Sequence, residues 1–229
     1  MSVESIYFIG AHPDDLIGSA GTAFLFKAQG FAIHVVDYTR GERGLAAEGV
    51  PMDECARRRV AEEERACALL DAQLHFLPEI DGETYAGRET VAALKALFVA
   101  APPRAVFVHW PVDIHPDHVM CHAAVVGALR DAQMAAEVYY FEESPQTRSM
   151  PVTRYVPFGE DIMQQKLALC RCYACQNPAD AMAQRKLAEA QYHGWKSGHP
   201  YAECFGCGRP VVPGAVSVLD RLPPTKQQQ

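Results

Sequence analysis

The sequence predicts an α/β fold: an open, mostly parallel sheet of about five strands in the order 3-2-1-4-5, with helices on both faces and a C-terminal α-rich appendage. Two observations carry this. Five apolar runs alternate with helical stretches through residue 143, and parallel crossovers place such helices over both faces of a sheet. From residue 144 the alternation gives way to Pro- and Arg-containing loop and then to helical pattern.

Taken in order, "SIYFIGA" (5–11) is a β-rich apolar run, and the helical pattern through "IGSAGTAFLFKAQG" (17–30) ends on Gly30, as helices do. "FAIHVVDYT" (31–39) is the second strand. After the Gly-rich "RGERGLAAEGVP", "DECARRRVAEEERACALL" (53–70) reads as a long amphipathic helix. "LHFLP" (74–78), the polar loop "EIDGETYAG" and a helix over about 89–99 come next; "RAVFVHW" (104–110) is a fourth strand, with a helix over 116–132 behind it. "EVYYFEE" (137–143) supplies the fifth. Beyond it the pattern predicts a strand at 153–158 and helices over about 160–175 and 178–193. The whole reads as one domain, with a core at 1–143, an appendage at 144–220 closing the site, and a disordered tail at 221–229.

Composition narrows the function. The 229 residues are 49% hydrophobic and 21% charged, enough to bury a substantial core. A net charge of −7 and a pI near 5.7 give no electrostatic reason to expect nucleic acid or an anionic membrane as partner. No apolar run approaches the roughly 20 residues that span a bilayer, and no signal-peptide pattern opens the chain, so a cytoplasmic location is expected. The eight cysteines are then expected as reduced thiols. "CRCYAC" (170–175) and "CFGC" (204–207) could supply soft zinc ligands, but Cys170 and Cys172 on a helix would point to different faces.

In an open α/β sheet, ligands bind beyond the carboxyl ends of the strands, where strand order reverses. The first strand ends in "HPDD" (12–15) and the fourth in "HWPVDIHPDH" (109–118), and the order 3-2-1-4-5 makes these two strands neighbours. Each motif alone also reads as a capped helix start. Together, His12, Asp15 and His118 offer two nitrogens and an oxygen, the donor set of a catalytic zinc with an open position for water. Asp14 diverges from its neighbour and can act on that water as general base, and a protonated His115 can stabilise an oxyanion. This is the equipment of a metal-assisted amide or ester hydrolase. His109, Asp113, His122 and His193 receive no role; His109 is expected to be packed or hydrogen-bonded.

At these residues the chain resembles the LmbE-like, or PIG-L, family of zinc-dependent N-deacetylases. The family pattern A-H-P-D-D-E reads "AHPDDL" here, and H-P-D-H is intact; "TRGERG" (39–44), Arg59 with Glu62 and Leu70, and "YAECF" match further motifs. The resemblance implies a Rossmann-like fold and removal of the acetyl group from an N-acetylglucosamine-type sugar or conjugate. It also implies zinc, with iron(II) as the alternative metal, held by His12, Asp15 and His118, with Asp14 and His115 catalytic. The partner would be a small-molecule amino-sugar conjugate, and a homo-oligomer is admitted. Arg59 matches a substrate-contacting residue, while its place in "RRR" (57–59) reads equally as surface charge on a helix, and Glu42 sits where it could meet a sugar hydroxyl or be solvated. Two departures stand out: Leu16 replaces the glutamate after the aspartate pair, and the family's late H-x-S-Q reads "YACQ" (173–176). The competing readings are an amidase of the same mechanism on a non-sugar or non-acetyl amide, and a catalytically silent metal-binding protein. A dinucleotide-binding protein would need G-x-G-x-x-G where this chain has "GAHPDD".

Overall fold

Strands β1 (Ser5–Gly10), β2 (Ala32–Asp37), β3 (Gln73–Phe76), β4 (Pro103–His109) and β5 (Glu137–Phe141) lie parallel in the order 3-2-1-4-5. They belong to a computed structural model that describes residues 3–143, 145–209 and 216–223. Every residue of β1 and all but one of β4 are buried, which is why both read as unbroken apolar runs rather than alternating ones. Phe8 of β1 stacks on Phe107 of β4 at 4.8 Å, and Phe107 in turn meets Tyr139 of β5 at 5.1 Å. Helices α1 (Ala20–Ala28) and α2 (Met52–Leu70) cover one face with α5 (Glu160–Cys170); α3 (Arg88–Ala100) and α4 (Pro116–Asp131) cover the other. None of the described helices is long and apolar enough to cross a membrane.

The expected appendage continues the sheet instead of leaving it. β6 (Arg154–Phe158) and β7 (Tyr201–Arg209) extend the order to 3-2-1-4-5-7-6, with β7 antiparallel to both β5 and β6. No strand was expected at β7, which carries Gly206 and Gly208. In the fold they admit a neighbour: a Cβ on Gly208 would lie 2.1 Å from the Tyr140 hydroxyl oxygen. Helix α5 ends at Cys170 rather than 175, and α6 runs from Ala181 to Ser197. Arg221, expected in the tail, closes a short turn of helix at Val218–Arg221 and pairs with Glu4 at 2.6 Å. Residues 224–229 of that tail lie outside the described residues.

Glu203 fastens the added strand to the core. Its carboxylate accepts from the backbone N–H groups of Gly21 and Thr22 at 2.8 Å each, at the start of α1, and pairs with Lys166 of α5. A buried carboxylate at a helix N-terminus, matched by a buried ammonium, is a satisfied arrangement. β1 and β4 run side by side in register, Ile9 beside Val108, so their carboxyl ends open onto the same edge. That edge carries the site.

Candidate metal and catalytic site

Past β1 the chain turns sharply through His12–Asp15 into a short 3-10 turn at Asp15–Gly18. Asp14 takes φ 107°, a conformation rare for any residue but glycine. Asp15 turns back toward the strand: its Oδ2 accepts from the N–H groups of Ala11 and His12 at 2.8 Å each and lies 3.0 Å from His109 Nε2. Oδ1 is the oxygen on the side of His118, 3.8 Å from its Nε2. Past β4, the loop returns to α4 with Pro116 at its first position, so His115 caps the helix and His118 sits one turn inside.

His12, Asp15 and His118, all buried, bring one donor atom each within 4.8 Å of one another. Their surroundings fit a divalent ion. His12 Nε2 lies 3.1 Å from Asp117 Oδ2 and 3.4 Å from Asp81 Oδ1, and His118 Nδ1 lies 3.2 Å from Asp113 Oδ2. Each imidazole therefore has a carboxylate on one nitrogen and the other nitrogen free to ligate, the second layer usual around metal-binding histidines. Burial disfavours charge on His12, yet Asp117, Asp15 and Asp81 hold it protonated well above the ordinary range. Burial likewise opposes ionisation of Asp15, but His109 and His118 hold its carboxyl well below the usual value. Such negative surroundings suit a cation. His12 also belongs to a second donor group with Asp81, His115 and Asp117.

Asp14 stands beside this set. Arg59 of α2 donates to its Oδ1 at 2.8 Å and also to the Pro13 carbonyl, while the Asp14 N–H donates to Glu63 at 3.1 Å. Burial pushes the Asp14 carboxyl up to about 6, against the pull of Arg59. Arg59, expected to face substrate, is almost wholly buried and engaged with Asp14, although it still borders the cavity. A glycine makes room for it: Gly41 has φ +65°, and a Cβ there would lie 2.4 Å from the Arg59 guanidinium. Glu42 turns away and accepts from the Asp81 N–H at 3.1 Å; its neighbours Arg43 and Gly44 line the cavity instead.

His115 stands on the cavity wall. Its Nδ1 accepts from the Asp117 N–H at 3.3 Å, and burial with His12 and His118 nearby holds it below the ordinary histidine value. With Nδ1 accepting, Nε2 is the nitrogen placed to donate. Leu16 faces the apolar core rather than the cavity, at 4% exposed.

Four residues to which the sequence assigned no role lie against the set, and His109 is packed and hydrogen-bonded as expected. His109 braces Asp15; Asp113 and Asp117 hold the two imidazoles; Asp81 reaches His12 from the loop after β3. Asp117 lies inside the "HPDH" motif and Asp81 in a polar loop at the carboxyl edge. Those positions were the available signals. The cavity above has a volume of about 410 Å³, and Arg185, Gln146 and Gln176 complete its wall with Glu143.

An open α/β sheet with a His–Asp–His donor set at the carboxyl edge of its central strands, and a further carboxylate beside it, defines an α/β protein with a candidate metal site. Residues 7–129 match the PIG-L family, described as GlcNAc-PI de-N-acetylase, and the chain belongs to that deacetylase family. It is 28% identical over 242 residues to the diacetylchitobiose deacetylase of Thermococcus kodakarensis, covering 93% of this chain and 84% of that one. The N,N'-diacetylchitobiose deacetylase of Pyrococcus horikoshii superposes with a TM-score of 0.77 at 23% identity, over 93% of this chain and 88% of that one. GalB, the 4-carboxy-2-hydroxymuconate hydratase of Pseudomonas putida KT2440, superposes at 0.82 with 23% identity, over 93% and 100%. These two likenesses show the shared fold.

Proposed function

We propose that this protein is a metal-dependent hydrolase that removes the N-acetyl group from an N-acetylglucosamine-type sugar or conjugate, releasing acetate and a free amine. The observation that carries the reading is Asp14, a partly buried carboxylate outside the His12–Asp15–His118 set, held on the cavity wall by Arg59 and Glu63. Those three residues would hold the ion; zinc suits two imidazoles and a carboxylate, and iron(II) accepts the same set. When bound, the ion supplies Lewis acidity toward the acyl carbonyl and makes water easier to deprotonate.

Arg59 engages Oδ1 of Asp14, so Oδ2 is the oxygen we assign to proton abstraction from water. A carboxyl pushed up to about 6 accepts a proton near neutral pH and gives it back readily to a leaving amine. His115 donates from Nε2 to the oxygen on which charge develops. Arg43, Arg185, Gln146 and Gln176 offer donors for sugar hydroxyls along the wall. The relatives' substrates, the polar lining and the cavity volume agree with a small amino-sugar conjugate.

The test is acetate and amine release by the metal-loaded protein from a panel of N-acetylated amino-sugar conjugates and non-sugar amides. Acetate from the sugars is expected. Hydrolysis confined to other amides would replace the substrate assignment, and metal uptake with no hydrolysis of any member would make the protein a silent metal binder.

A further inference from the structure

On the same sheet, away from the cavity, three side chains from separate elements converge. Glu142 follows β5, His193 lies in the last turns of α6, and Cys204 is on β7. His193 Nε2 is 3.3 Å from Glu142 Oε2 and 3.4 Å from Cys204 Sγ, and Sγ is 3.5 Å from the same Oε2. Around tetrahedral zinc, with bonds of about 2.0–2.1 Å to nitrogen or oxygen and about 2.3 Å to sulfur, the edges of a face come to roughly 3.3–3.6 Å. The triangle has those edges.

A proton-relay triad would look different. There the carboxylate holds Nδ1 while the thiol meets Nε2. Here both converge on Nε2, and His193 Nδ1 is buried with no hydrogen-bond partner. Cys204 is buried, Glu142 is partly open to solvent, and beside them is a void of about 20 Å³, room for one water as fourth ligand. Glu189, one helical turn before His193, lines the same void with a buried Oε1 that makes no hydrogen bond.

We infer that Glu142, His193 and Cys204 form a second cation site, which takes a thiophilic divalent ion such as zinc in a structural role. The ion would tie the end of β5 and strand β7 to α6, the helix that carries Arg185 into the cavity wall. The inference is independent of the proposed hydrolysis.

Cobalt(II) tests it on the whole chain, because the His12–Asp15–His118 set contains no sulfur. Titration of metal-stripped protein should show uptake of a second equivalent with a near-ultraviolet thiolate-to-cobalt charge-transfer band. Cys204→Ser should lose that band and one equivalent, Glu142→Gln should weaken the same step, and Cys172→Ser should change neither. Should Cys204→Ser not fold, His193→Gln is read the same way. Wild-type protein that binds cobalt without a thiolate band overturns the inference, as does a band that survives in Cys204→Ser or His193→Gln.

Discussion

Asp14 and Asp15 are adjacent in sequence, and backbone geometry separates their carboxylates. Asp15 accepts from two backbone N–H groups through Oδ2, which also lies against His109, and keeps Oδ1 beside His118, whereas the positive φ of Asp14 swings its carboxylate toward Arg59 and the cavity. Asp14→Asn keeps the shape and removes the base. It should retain bound metal while lowering turnover by roughly 10²–10⁴, measured as acetate release beside metal content; undiminished turnover would take Asp14 out of the reaction. Arg59 and Leu16 show where sequence alone misleads. An arginine in "RRR" reads as surface charge, yet this one is buried because α2 turns Cys55, Arg59 and Glu63 toward the sheet edge. Leu16 stands where the family has a glutamate, and it packs among apolar residues because the 3-10 turn points it inward.

Strands β2 and β7 give two predictions. On β2, His34 stacks on Tyr7 at 4.4 Å and neighbours His75 of β3 at 3.5 Å. Burial, and then His75, lower its value from 6.5 to about 4. As pH falls through that window the unfolded chain binds a proton that the folded chain refuses, so stability falls with it. His34→Phe keeps a ring against Tyr7 and cannot titrate; its denaturation midpoint should decline less steeply between those pH values, and an unchanged slope would exclude His34 as a source of acid sensitivity. On β7, Glu203→Ala strands the buried Lys166 ammonium and two N–H groups of α1. A cost of roughly 3–5 kcal/mol is expected in chemical denaturation, far above that of an exposed pair such as Arg154–Asp220. These elements also mark the limit of pattern reading. β1 and β4 were legible because strands buried on both faces are continuous apolar runs, but β7 carries glycines that its packing against Tyr140 demands, and they mimic a loop.

For the whole molecule, the candidate metal set joins two distant segments of the first half of the chain: His12 and Asp15 follow β1, and His118 lies beyond β4. An ion bound there links segments far apart in sequence and is lost on unfolding. At a free concentration about a hundredfold above Kd it should add roughly 2.7 kcal/mol of stability. The Tm of Cys204→Ser protein, which keeps this set but lacks the cysteine of the second, should rise with added zinc, and His118→Ala in that background should abolish the rise.

Sequence pattern was enough for the parallel core and the strand order that makes β1 and β4 neighbours, and it marked His12, Asp14, Asp15, His115 and His118 as candidates that the fold brings to one edge. Apolar runs and motif spacing are local properties, and the reversal of strand order converts them into proximity. The folded chain alone shows that Asp81, Asp113 and Asp117 lie against the imidazoles, that Arg59 pairs with Asp14, that His115 Nδ1 accepts from Asp117, and that Glu142, His193 and Cys204 meet. Except for the His115 contact, each of these depends on side chains arriving from different elements, and on burial and neighbouring charge that no single segment carries.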